Sequence, residues 1–130
     1  MGLKETEAEC AEGRTAPRVS LADIEGAIAA EYRFTASDAI RALGMPDVPD
    51  LDLLSICILK MANGFMVIGK SAPVSAANFD ADLGRKLAYE DAVRQLWPLM
   101  GYALRDRLAD LAKNVPASRW LGSDGDSNAG

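Results

Sequence analysis

The pair Asn63-Gly64, set between two apolar runs, constrains this chain more than any other feature. On one side stands Leu53-Leu54-Ser55-Ile56-Cys57-Ile58-Leu59-Lys60-Met61, and on the other Phe65-Met66-Val67-Ile68-Gly69-Lys70-Ser71. Asn-Gly supplies the two positive φ values of a type I′ turn, the commonest tight link between antiparallel strands. The sequence therefore predicts a β-hairpin with strands at about 51–61 and 65–71. A two-residue loop would pair Ala62 with Phe65, Leu59 with Ile68 and Ile58 with Gly69. From Leu53 to Leu59 both faces of the first strand are apolar except at Ser55, which predicts burial on both sides. A two-stranded hairpin is marginal alone. One face then needs a helix, and the other needs either the first helix or a second subunit. Self-association, as a homo-oligomer, is the expectation.

The segments around the hairpin read as helices. Ser20-Leu21-Ala22-Asp23 has the pattern of a capping box, and Leu21, Ile24, Ile28 and Tyr32 follow at helical spacing. Thr35-Ala36-Ser37-Asp38 repeats the cap for a short helix that ends at Gly44, with Pro46 beyond. Met45 to Asp50 carries two prolines and reads as a stiff linker. After Pro73, caps at Ser75 or Asn78 and acids at Asp80 and Asp82 open a helix carried forward by Leu83, Leu87, Val93, Leu96 and Trp97. Pro98 removes an N–H and its ring collides with the carbonyl of residue 94, so a kink or break is expected there. A second helix continues through Met100, Leu104, Leu108 and Leu111. The fold class is α+β: N-terminal helices and a hairpin packed against a kinked helical pair at about 79–97 and 99–112. Residues 1–18 read as a disordered leader, 19–112 as one domain and 113–130 as a flexible tail.

Chemistry is constrained mainly by what the chain lacks. It has no histidine, which removes the usual general base and the commonest metal ligand. No constellation for catalysis, metal or cofactor is visible, so a non-enzymatic protein is expected. The net charge of -5 argues against direct binding of duplex DNA. Two cysteines, one of them (Cys57) inside an apolar strand, suggest an inert thiol and a reducing, cytoplasmic setting rather than a disulfide framework. No apolar run reaches the ~20 residues of a membrane span.

Two sets of residues stand out. Lys70, Ser71, Ser75, Asn78, Arg85 and Lys86 gather hydroxyls and cations near a helix start, a pattern that suits an anion or a nucleotide phosphate. Helix capping and a solvated charge pair explain the same residues. Gly84, Ala88 and Ala92 form a stripe of small residues at helical spacing. A glycine inside a helix costs about 1 kcal/mol against alanine, which points to a close approach, most simply by the hairpin. Trp97, Tyr102, Arg105 and Trp120 complete the candidates for packing or interface.

Cys57-Ile58-Leu59, Asn63-Gly64-Phe65, Gly69-Lys70-Ser71-Ala72, Asn78-Phe79-Asp80, Gly84-Arg85-Lys86-Leu87-Ala88 and Leu96-Trp97-Pro98-Leu99-Met100-Gly101-Tyr102-Ala103-Leu104-Arg105 occur in that order. Over about residues 56–108 the chain thus resembles the "gene product 49" family of small bacteriophage and prophage proteins. The resemblance implies a phage accessory protein acting in the bacterial cytoplasm and supplies no catalytic residues. Two binding modes fit that expectation: sequestration of a nucleotide-like small molecule, or inhibition of a host protein, either of which would counter host defence. A virion or DNA-metabolism component is the alternative, and an uncharacterised enzyme a third reading.

Overall fold

The computed structural model describes residues 2–11 and 16–113. Its elements run α1 (Leu3–Ala11), α2 (Leu21–Ala27), β1 (Ile28–Thr35), α3 (Ala36–Ala42), a 3-10 turn (Pro49–Leu53), β2 (Ser55–Met61), β3 (Met66–Ser71), a second 3-10 turn (Ala76–Asn78) and α4 (Ala81–Lys113). The architecture is α+β. A three-stranded antiparallel sheet of order β1-β2-β3 lies with one face against α4.

Both capping boxes form as the sequence predicts. The Ser20 and Thr35 side chains accept from the amides of Asp23 and Asp38, whose carboxylates accept from the cap amides in return. Beyond the Ser20 cap the chain departs from expectation. The helix stops at Ala27, and Ile28–Thr35 becomes β1, paired with β2 from Ile28↔Met61 to Thr35↔Ser55 with an irregularity between Ile28 and Ala30. Ile28 and Tyr32 fit a helical period, but the same eight residues cover the open edge of β2, and satisfying those backbone groups outweighs local propensity.

The hairpin exists with a shifted register. Ile58 pairs with Ile68, Leu59 with Val67 and Cys57 with Gly69. The loop is three residues long: the Met61 amide donates to Phe65 O and the Gly64 amide to Met61 O. Gly64 sits at φ +91° while Asn63 stays at negative φ. This is the three-residue loop with a left-handed glycine, not a type I′ turn. Asn63 serves instead through its side chain, whose Oδ1 accepts from the Phe65 amide at 2.9 Å. Residues 51–53, expected in the first strand, lie in the 3-10 turn that begins at Pro49.

Pro98 does not divide the last helix; α4 runs unbroken over 33 residues. The turn before the ring is held to the core, Val93 and Leu96 by burial and Trp97 by an indole hydrogen bond to Val19 O at 3.1 Å, and Met100 in the turn after it packs against the same core. The helix therefore continues across the missing N–H. Its buried face is Gly84, Ala88, Ala92, Val93 and Leu96, whereas Leu83 and Leu87 are exposed. Within residues 1–18, read as a leader, Leu3–Ala11 is helical and Leu3 joins the core. The tail beyond residue 113, with Trp120, lies outside the described residues.

The core forms on one side of the sheet. Leu21 and Ile24 of α2 join Cys57, Leu59, Met61 and Val67 beneath α4. The helix expected to cover the second face thus shares α4's side and leaves that face open. On it Tyr32, Ile58 and Ile68 form a row across the three strands, and Tyr32 and Ile68 are 55% and 58% exposed.

Candidate functional site

The site follows from a mismatch of lengths. At about 1.5 Å per residue α4 is about 50 Å long, while a seven-residue strand spans about 23 Å. The small-residue stripe fixes where the excess goes. Gly69 of β3 lies under Ala88 and Ala92, so closely that a Cβ on Gly69 would run into the Ala88 carbonyl. Gly84 lies over Ser55, where a Cβ would stand 2.6 Å from the hydroxyl oxygen. With residues 84–96 seated on the sheet, residues 99–113 extend past the hairpin turn.

That extension makes two clefts. In the first, the hairpin end (Met61, Ala62, Phe65) faces Leu96, Leu99, Met100 and Ala103, with Asn63 and Arg107 also on its walls; its volume is about 360 Å³. The walls are apolar, two methionines adapt them to different shapes, and the Asn63 side chain holds the turn before Phe65. The second cleft, about 590 Å³, lies between Pro17-Arg18-Val19 and Trp97, Gly101, Leu104, Arg105 and Leu108. Arg18 is held by Glu7 at 2.9 Å.

Several of the groups expected to bind an anion are engaged in other ways. The Lys70 amide donates to Asp91 Oδ2 at 2.9 Å, and Ser71 pairs with Ser55. Ser75 caps the short 3-10 turn that ends at Asn78. Asp80 Oδ1 accepts from the amides of Asp82 and Leu83, so a carboxylate of the chain itself occupies the start of α4. Arg85 pairs with Asp82. Lys86 turns to a cleft beside α1 lined also by Lys4, Glu5, Glu25 and Glu90, where acids outnumber bases.

Of the packing candidates, Gly84, Ala88 and Ala92 are buried on the hairpin, Trp97 is anchored to Val19, Arg105 lines the second cleft and Tyr102 is exposed. Burial pushes the Cys57 thiol up, with Arg33 opposing and Glu31 adding. Burial likewise raises Tyr89, whose ring lies 4.8 Å beneath the Arg33 guanidinium. Sequence reasoning did not single out Phe65 or Leu99, and it weighed Arg107 only as a cation that could reach a ligand across an oligomer interface. The available signal was length, since apolar spacing through Leu111 outruns any strand the hairpin can offer.

Among the described residues no helix is long and apolar enough to cross a membrane, and no cluster of three or more metal-ligating side chains forms. Searches of curated proteins and of solved structures found no match. A family model does match, over residues 19–108, which takes in α2 through most of α4 and both walls of the first cleft. The chain thus belongs to the phage protein (N4 Gp49/phage Sf6 gene 66) family.

Proposed function

We propose that this member of the family is a non-enzymatic phage accessory protein that binds a protein of the host through the cleft between the hairpin end and the extended part of α4. The observation that carries this reading is the lining of that cleft: Met61, Phe65, Leu96, Leu99 and Met100 with the Arg107 cation among them. An apolar side chain flanked by a carboxylate, carried on a helix or extended segment of the partner, matches those walls. Exposed Leu99 and Tyr102 continue the apolar surface along α4. Sequestration of a nucleotide is the weaker reading, because Asp80, Asp82 and Asp91 already engage the amides and the cation that a phosphate would need.

The test is affinity capture from host lysate with identification by mass spectrometry, comparing wild type with Leu99→Glu, Arg107→Glu and a control, Leu83→Glu, on an exposed position away from the cleft. A single host protein retained by wild type and the control, and lost by the two cleft variants, supports the reading. Capture indifferent to both cleft variants overturns it. So does a nucleotide-sized mass on the native protein that disappears with Arg85→Glu and Lys86→Glu.

A further inference from the structure

The two edges of the sheet are treated differently. In the β2–β3 ladder, the Met61–Phe65 bond sets the phase: odd residues of β2 bond toward β3, and even residues toward β1. On β3 this leaves Ile68 and Lys70 facing outward, and α4 covers both. Gln95 Nε2 donates to Ile68 O at 2.6 Å, and the Lys70 amide donates to Asp91. On β1 the same phase turns Ala30, Tyr32 and Phe34 toward β2, and Glu31 and Arg33 outward. Among the described residues, no side chain of another element meets the Glu31 and Arg33 backbone as α4 meets β3.

That open stretch has defined ends. At one end the Thr35 amide is taken by Asp38 Oδ2. At the other, the irregularity between Ile28 and Ala30 takes the strand out of register. What remains is Ala30-Glu31-Tyr32-Arg33-Phe34, whose midpoint is Tyr32.

We propose that β1 pairs with β1 of a second copy of this chain, antiparallel about a two-fold axis at Tyr32, joining two three-stranded sheets into one of six strands. The segment is complementary to itself. Glu31 of one copy falls opposite Arg33 of the other, twice, and each such pair exchanges both main-chain hydrogen bonds. Opposite charges directly across a ladder are favourable, and like charges are not. Within one chain Glu31 and Arg33 are already 2.6 Å apart on the same face, so pairing gathers four alternating charges over the two edges. Tyr32 meets Tyr32 on the opposite face, and Ala30 meets Phe34, a small residue against a large one. A pairing of a few residues is a small interface, so the dimer forms at high protein concentration.

Sedimentation equilibrium of the full chain, from about ten micromolar to about a millimolar, tests this. The expected result is a monomer–dimer equilibrium, with slower hydrogen exchange at the Glu31 and Arg33 amides in the dimer. Arg33→Glu sets four carboxylates together and weakens the dimer about tenfold. The exchange of both charges, Glu31→Arg with Arg33→Glu, restores opposite pairs and returns the affinity to near wild type. Glu31→Pro removes an outward N–H while leaving the β1–β2 ladder intact, and gives a folded monomer. A monomer at every concentration overturns the proposal. A dimer unmoved by Glu31→Pro, or weakened equally by the single and double charge variants, also overturns it and places the contact on another face.

Discussion

Gly69 of β3 packs on Ala92 of α4 with no room for a side chain: a Cβ added to Gly69 would lie 2.8 Å from the Ala92 methyl carbon. Sheet and helix meet here backbone to backbone, which is why glycine and alanine hold these positions. Gly69→Ala forces the two apart and is expected to cost about 2 kcal/mol, the scale of core overpacking. Gly101, also in α4, has open space where a methyl group would stand, with no atom of another element within 4 Å among the described residues. There Gly101→Ala gains helix propensity and is expected to stabilise by up to about 1 kcal/mol. Thermal melts of the two variants should move in opposite directions.

Ser37 offers a stabilising change of another kind. Its side chain is buried in α3 and its Oγ has no hydrogen-bond partner among the described residues. Removing a buried hydroxyl that makes no bond removes its desolvation cost. Ser37→Ala is expected to stabilise by about 1 kcal/mol, measured as a higher urea midpoint with an unchanged slope.

The two capping boxes give folding a dependence on acid. Hydrogen bonds from the Ser20 backbone, then its side chain, hold the Asp23 carboxyl below its ordinary value of 3.8. The Thr35 backbone does the same for Asp38. A carboxyl depressed in the folded state contributes stability above its unfolded value and loses it as pH falls through the folded one. Urea midpoints should therefore be flat above about pH 5 and decline below about pH 4. Asp23→Asn with Asp38→Asn should lower the plateau and flatten the decline.

Asp91 and Gln95 protect an edge that would otherwise recruit other chains. Asp91→Ala with Gln95→Ala should speed hydrogen exchange at Lys70 and produce concentration-dependent light scattering on warming. Wild-type behaviour in both measurements would assign the protection to something else.

Much of this fold was legible where one signal acted alone. The capping boxes at Ser20 and Thr35 needed only local chemistry, and the close approach at Gly84 followed from the cost of glycine in a helix. The errors arose where two readings shared the same residues. Ile28 and Tyr32 satisfy a helical period and a strand alternation at once, and only the open edge of β2 decides between them. Asn63-Gly64 marks a turn in either register. Its loop length depends on which face of Val67 and Gly69 must meet α4, a tertiary fact. The cleft at Phe65, Leu99 and Arg107 was invisible because no residue in it is unusual; it exists because a long helix crosses a short hairpin.

The small-residue stripe carries one more implication. Gly84, Ala88 and Ala92 recur every four residues, so shifting α4 by one turn would set Gly84 and Ala88 over Gly69 without a clash. At Gly69 sterics alone thus leave the helix two seats, although the shift would also set Asp80 over Ser55, where a Cβ crowds the hydroxyl. Such a ratchet would bring Leu87 to the place of Asp91 and Asp91 to that of Gln95. A leucine cannot accept from the Lys70 amide, and a carboxylate cannot donate to Ile68 O. Two hydrogen bonds at a sheet edge, together with the Gly84–Ser55 contact, therefore index a 33-residue helix, and with it the length of α4 that projects beyond the hairpin.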